Sequence, residues 1–160
     1  MIRLLATALL LLAQTLPASA LSCLRPDPLA TLRAAQDTPE PYVALYGTLD
    51  FDAALMPPYL SGAPLEAPEP VFATFSGRIL GQDGFTHVVG EHPITLIPEC
   101  AANWCGGTEP AIPSLIFAEV TEQGWRVTLG ACPFWLFSNP PRAILDSVAT
   151  CATGGECTAP

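Results

Sequence analysis

A mainly β fold, a small closed barrel of five to six strands with two short helices and disulfide staples, is what this sequence predicts. Three observations carry the prediction. Short segments alternate apolar and polar residues, glycine-bearing turns join those segments in pairs, and six cysteines occur in 160 residues. Alternation at period two gives each segment one apolar face, which needs an inside. Closing the sheet into a barrel supplies that inside and removes exposed strand edges.

Ahead of the domain, residues 1–20 read as a cleaved secretory signal. Arg3 gives a positive start, Leu4 to Leu16 is apolar apart from Thr7, Gln14 and Thr15, and Ala18-Ser19-Ala20 supplies a small-x-small cleavage pattern. At about 13 residues the apolar stretch falls short of the roughly 20 that span a bilayer, and no later segment reaches that length. Residues 21–160 are then one mature domain, periplasmic or secreted, with no membrane span. Ser22-Cys23 offers a rival lipoprotein-type cleavage that would anchor the chain through Cys23. Ala20, however, stands where that signal usually carries a larger aliphatic residue.

Asp27-Pro28 is a helix cap followed by a first-turn proline, and Leu29 to Gln36 continues as a short helix. Thr38 to Pro41 breaks it. Tyr42 to Phe51 is a strand, with Val43, Leu45, Gly47, Leu49 and Phe51 on one face. Met56 to Pro70 holds five prolines and reads as a long irregular loop. Val71 to Leu80 and Phe85 to Val89 form a hairpin around Gly81-Gln82-Asp83-Gly84, and Ile94 to Ile97 is a further short strand. Ser114 to Val120 and Trp125 to Ala131 form a second hairpin around Thr121-Glu122-Gln123-Gly124. Ser138 or Asn139 caps a last short helix through Leu145 to Val148, with Pro140 and Pro141 in its first turn.

The net charge is -9 and lysine is absent. Such a surface repels phosphate backbones, which argues against nucleic acid as a partner. An even number of cysteines in an exported domain implies disulfides, although six allow 15 pairings. Cys100 and Cys105, and Cys151 and Cys157, are spaced for local loops, the second closing the C-terminal tail. That leaves Cys23 to reach Cys132 and tie the start of the domain to its last strand.

In the order of its parts the chain resembles the netrin-like, or tissue-inhibitor-of-metalloproteinase-like, domains. The likeness rests on Ser22-Cys23-Leu24-Arg25-Pro26 before a helix, Tyr46-Gly47-Thr48-Leu49 in a strand and Trp104-Cys105-Gly106-Gly107. It continues with Ser114-Leu115-Ile116-Phe117-Ala118 and Val127-Thr128-Leu129-Gly130-Ala131-Cys132. The resemblance implies an OB-type barrel. In the inhibitors of that family an amino-terminal cysteine coordinates a protease zinc. Here Leu21-Ser22 precedes Cys23 and the usual Cys-x-Cys opening is missing, so metalloprotease inhibition stands only as a third alternative, behind a binding domain and a metal protein or enzyme.

Catalytic constellations are sparse. His87, Glu91 and His92 are the candidates for a metal site or an envelope enzyme, but their spacing across Gly90 and Pro93 matches no ligand motif. There is no Gly-x-Ser-x-Gly elbow. Asp50 and Asp52 flank Phe51 at a strand end, where paired acids are usually solvated. Phe134-Trp135-Leu136-Phe137 either plugs a barrel end or forms an exposed patch. The expectation is a non-catalytic binding or accessory domain, without a cofactor, for an envelope or extracellular protein or ligand. Tyr42, Tyr46, Trp104 and Trp135, with the proline-rich loop, are its candidate surface.

Overall fold

The computed structural model describes residues 22–61 and 67–158. The expected signal segment, residues 1–20, lies outside the described residues. So do residues 62–66 of the proline-rich loop.

Eleven elements follow in order: helix α1 (Pro28–Asp37), β1 (Tyr42–Asp50), a 3-10 turn (Ala53–Leu55), β2 (Val71–Gly81), β3 (Gly84–Pro98), β4 (Cys100–Ala101), β5 (Trp104–Cys105), β6 (Ser114–Thr121), β7 (Gly124–Leu129), β8 (Leu136–Ser138) and helix α2 (Arg142–Ala152). Helix α1 starts at Asp27, whose Oδ1 accepts from the amides of Leu29 at 3.0 Å and Ala30 at 3.3 Å. Asp52 does the same for the 3-10 turn, accepting from Ala54 N at 2.9 Å, so this acid is a cap rather than half of a carboxylate pair.

The sheet runs β1-β2-β3-β7-β6, and β1 pairs again with β6 to close a five-stranded barrel. All ladders are antiparallel except β3 with β7, where Ile94 stands beside Trp125 and Leu96 beside Val127. A sixth strand, β8, lies on β6 through Ser114↔Ser138, Leu115↔Phe137 and Ile116↔Leu136. The barrel is OB-like, and its strands are those the alternation predicts, with two differences. Phe85–Val89 and Ile94–Ile97 are not separate strands; they belong to one long β3. Its register against β2 shifts between Phe75 and Gly77, a bulge that lets one strand bend round the barrel instead of breaking. The second difference is that the Phe134–Phe137 run contributes a strand, with Leu136 turned into the barrel and Phe137 away from it.

Two apolar cores result. Inside the barrel, Leu45, Leu49, Phe75, Leu96, Ile116 and Val127 interdigitate. Phe75 fills the space over Gly47 and Gly77, which stand opposite each other; a Cβ on Gly47 would lie 2.2 Å from the Ser76 carbonyl oxygen and 2.8 Å from the Phe75 ring. Outside the barrel, Ala44, Leu115 and Phe137 meet Leu29 and Leu32 of α1 and Val148 of α2. Helix α2 begins at Arg142 with Pro141 as its cap and no side-chain cap bond; Ser138 ends β8 and Asn139 turns with φ 50°, so neither performs the capping that the sequence suggests.

All six cysteines are paired, Cys23–Cys132, Cys100–Cys105 and Cys151–Cys157, the pairs that the spacings suggest. Three disulfides fit an oxidising, extracytoplasmic setting. Among the described residues no helix is long and apolar enough to cross a membrane.

Candidate functional site

The most heavily stapled part of the surface is the barrel end where the crossover from β3 to β6 returns. Strands β3 and β7 run parallel, so β6 carries the chain back along the barrel, and the crossover between Pro98 and Ser114 stays at the end where β3 stops and β6 starts. On the way it forms the β4–β5 ribbon, with Cys100 opposite Cys105 and bonded to it. Gly106 lets the ribbon lie on the end of β7: a Cβ there would sit 2.0 Å from the Leu129 carbonyl oxygen, and Gly106 N donates to Glu99 O at 2.9 Å. The proline-rich loop docks on the same ribbon. Cys105 N donates to Tyr59 O at 3.0 Å, Ser61 N to Asn103 O at 2.9 Å, and Leu60 bridges to Trp104.

The docked loop presents apolar side chains to water. Tyr59 is 63% exposed and Leu60 53%, with Leu55 of the preceding 3-10 turn 61% exposed, and the Tyr59 ring meets Trp104 edge-on with centroids 5.4 Å apart. Beside them opens a cavity of about 310 Å³ whose wall includes Pro26, Tyr59, Gly106, Thr128, Trp135 and Ser138. Phe134, 43% exposed, lies on the same wall. Its backbone is held from behind: Thr31, fully buried, donates its hydroxyl to Phe134 O at 2.7 Å. The Cys23–Cys132 bond fixes the adjoining segment. Exposed aliphatic and aromatic groups on so constrained a backbone can be covered with little backbone ordering cost.

The residues singled out in the sequence fall in several places. Trp104 and Trp135 both belong to this end, Trp104 in the ribbon and Trp135 in the cavity wall. Tyr42 does not form a free surface; it stacks on Trp135 with centroids 4.7 Å apart. Partial burial, together with Glu119 and Glu40, raises the Tyr42 phenol above its ordinary range. Glu119 itself is held by Arg126 through bonds of 2.7 and 2.8 Å, which in turn raises the Arg126 guanidinium. Tyr46 lies apart, against Phe85, in an open groove of about 600 Å³ between the β2–β3 turn and α2. That groove carries Arg78 and Arg142 but also Asp83 and Asp146, and Arg142 is already within 3.9 Å of Asp146. Tyr59 and Leu60 were hidden in a stretch whose visible signal was its prolines.

Among the described residues no group of three His, Cys, Asp or Glu side chains is placed to hold a metal ion. His92 lies with its ring 3.8 Å from that of Trp125, while His87, opposite Ile79, and Glu91 are exposed on β3. Trp125 itself packs edge-on against Phe75 at the barrel mouth. No family model matches the chain, and neither a curated protein nor a solved structure matches it.

Proposed function

We infer that this protein is a non-catalytic binding module of the cell envelope or the extracellular space, and that it engages a protein partner through the rim of Leu55, Tyr59, Leu60 and Trp104. One observation carries the reading: large apolar side chains stand in water on a backbone held by a disulfide, a β-bridge and two cross-loop hydrogen bonds. Tyrosine and tryptophan are the residues that anchor protein interfaces, because each buries a large area with few rotors to freeze. A periplasmic or secreted location follows from the signal-like residues 1–20 together with the disulfides. Kinship with the netrin-like domains belongs to the same proposal and rests on the sequence motifs.

The test is site-specific photocrosslinking in cells that export the chain. A photoreactive residue at Leu60 is expected to give one discrete protein adduct, and Trp104→Ala to abolish it. The same probe at Val88, an apolar residue on β3 that is more exposed than Leu60, is expected to give none. Absence of an adduct at Leu60, or equal labelling from Val88, refutes the reading.

A further inference from the structure

The cavity beside the rim lies between two strand edges. Both β7 and β8 lie antiparallel to β6, and β7 meets it only at Glu119–Thr121 before leaving to pair with β3. Strand β8 takes over β6 at Ser114–Ile116. The two strands are therefore parallel to each other, with no ladder between them.

Antiparallel alternation tells which backbone groups are unused. Phe117 N donates to Trp135 O at 2.8 Å and Asn139 N to Pro113 O at 2.7 Å, so Trp135, Phe137 and Asn139 direct their amides and carbonyls at β6. Leu136 and Ser138, in between, direct theirs away from β6, and both residues line the cavity. On the facing side, Trp125, Val127 and Leu129 spend their groups on β3, while Gly124 and Arg126 pair with β6. Thr128, next in the alternation, turns its amide and carbonyl to the same cavity. No hydrogen bond to these backbone groups comes from another described residue. Unpaired amides and carbonyls on two facing strand edges, from half-buried Thr128 to exposed Ser138, are a template for a further strand.

We propose that the slot between β7 and β8 takes an extended segment of the partner polypeptide, running antiparallel to both strands and completing the sheet between them. This deepens the binding-module reading and rests on it, since the rim flanks the slot. None of the lining residues is charged, so the inserted residues are uncharged. With a net charge of -9 on the chain, basic flanks are preferred to acidic ones. Backbone pairing supplies the affinity and the alternate side chains the selectivity.

In the free, oxidised protein, the amides of Thr128, Leu136 and Ser138 are expected to exchange with solvent faster than those of Val127 and Phe137. A random peptide phage library panned on the protein supplies the probe, the recovered peptide being then synthesised. That peptide is expected to protect Thr128, Leu136 and Ser138. Methylating its backbone nitrogens should weaken binding by about tenfold per lost hydrogen bond in both phases of the alternation, one phase facing β7 and the other β8, whereas loss confined to one phase would mean pairing with a single edge and overturn the insertion. Recovery of no peptide overturns the slot assignment. So do peptides that perturb only Leu55, Leu60 and Trp104, although these would leave the binding-module reading intact. A concentration-dependent dimer that protects the same amides gives the slot to a second copy of this chain and overturns the partner assignment. Slot binding without a Leu60 adduct in cells refutes the rim reading instead.

Discussion

Removal of the Cys23–Cys132 bond is expected to be the most costly of the three disulfide deletions. It closes a sequence separation of 109 residues, against 5 for Cys100–Cys105 and 6 for Cys151–Cys157. In the chain-entropy description the long bridge stabilises the fold by about 5 kcal/mol and each short one by about 2 kcal/mol. Packing works in the opposite direction. Cys23 is exposed, so Cys23→Ala/Cys132→Ala loses little contact, whereas Cys105 is fully buried and its replacement opens a small void. The comparison is therefore biased against the prediction. Guanidinium unfolding of the oxidised double-alanine variants is the assay. The long-bridge variant should show the largest fall in stability, with a steeper denaturant dependence because its unfolded chain is less constrained. Equal losses for Cys23→Ala/Cys132→Ala and Cys100→Ala/Cys105→Ala would refute the reasoning.

Other expectations follow from single contacts. Thr31→Val leaves the Phe134 carbonyl without its buried donor and should cost about 1–3 kcal/mol in the same assay, while Thr31→Ser retains the bond. Gly77→Ala drives a Cβ to 2.4 Å from the Tyr46 carbonyl oxygen and should cost about 3 kcal/mol or abolish folding; Gly90→Ala enters open space and should change stability by less than about 0.5 kcal/mol. Tyr42 holds its proton more tightly folded than unfolded, so its contribution is complete below the ordinary tyrosine range and is lost as pH rises through the folded value. Ultraviolet titration should place its ionisation above that of a free tyrosine, and Glu119→Gln should bring it down. Because Arg126 and Glu119 are partly exposed, removing their ion pair should cost only about 0.5 kcal/mol of stability.

The barrel was legible because its signal is local. Tyr42 to Phe51 alternates so regularly that the inward set, from Val43 to Phe51, is the set that packs against the barrel core. The Gly84 and Gly124 turns, with φ of 80° and 116°, need the residue that stands there. What the sequence concealed depends on distant pairing. Gly90 and Pro93 look like breakers of β3, yet the bulge against Phe75–Gly77 absorbs them. Phe134–Phe137 does not alternate, because β8 is apolar on both faces: one meets the barrel interior and the other the helices. Tyr59 and Leu60 acquire meaning only when the ribbon around Trp104 gives their backbone a partner. The Trp104-Cys105-Gly106-Gly107 run was visible, but that Gly106 permits contact with Leu129 was not.

Barrel closure also sets an order of events during biogenesis. The seam joins Tyr42 to Glu119 and Gly47 to Ser114, partners far apart along the chain. A polypeptide threaded across a membrane amino-end first delivers β1, β2 and β3 well before β6, so the early meander must wait with an unsealed edge. Cys100 and Cys105 arrive while Cys23 is still unpaired, and can capture it. On the proposed reading that the domain is exported, it should therefore lean on a disulfide isomerase and on a chaperone that shields the meander, and its yield should drop more steeply than its equilibrium stability when either is withdrawn.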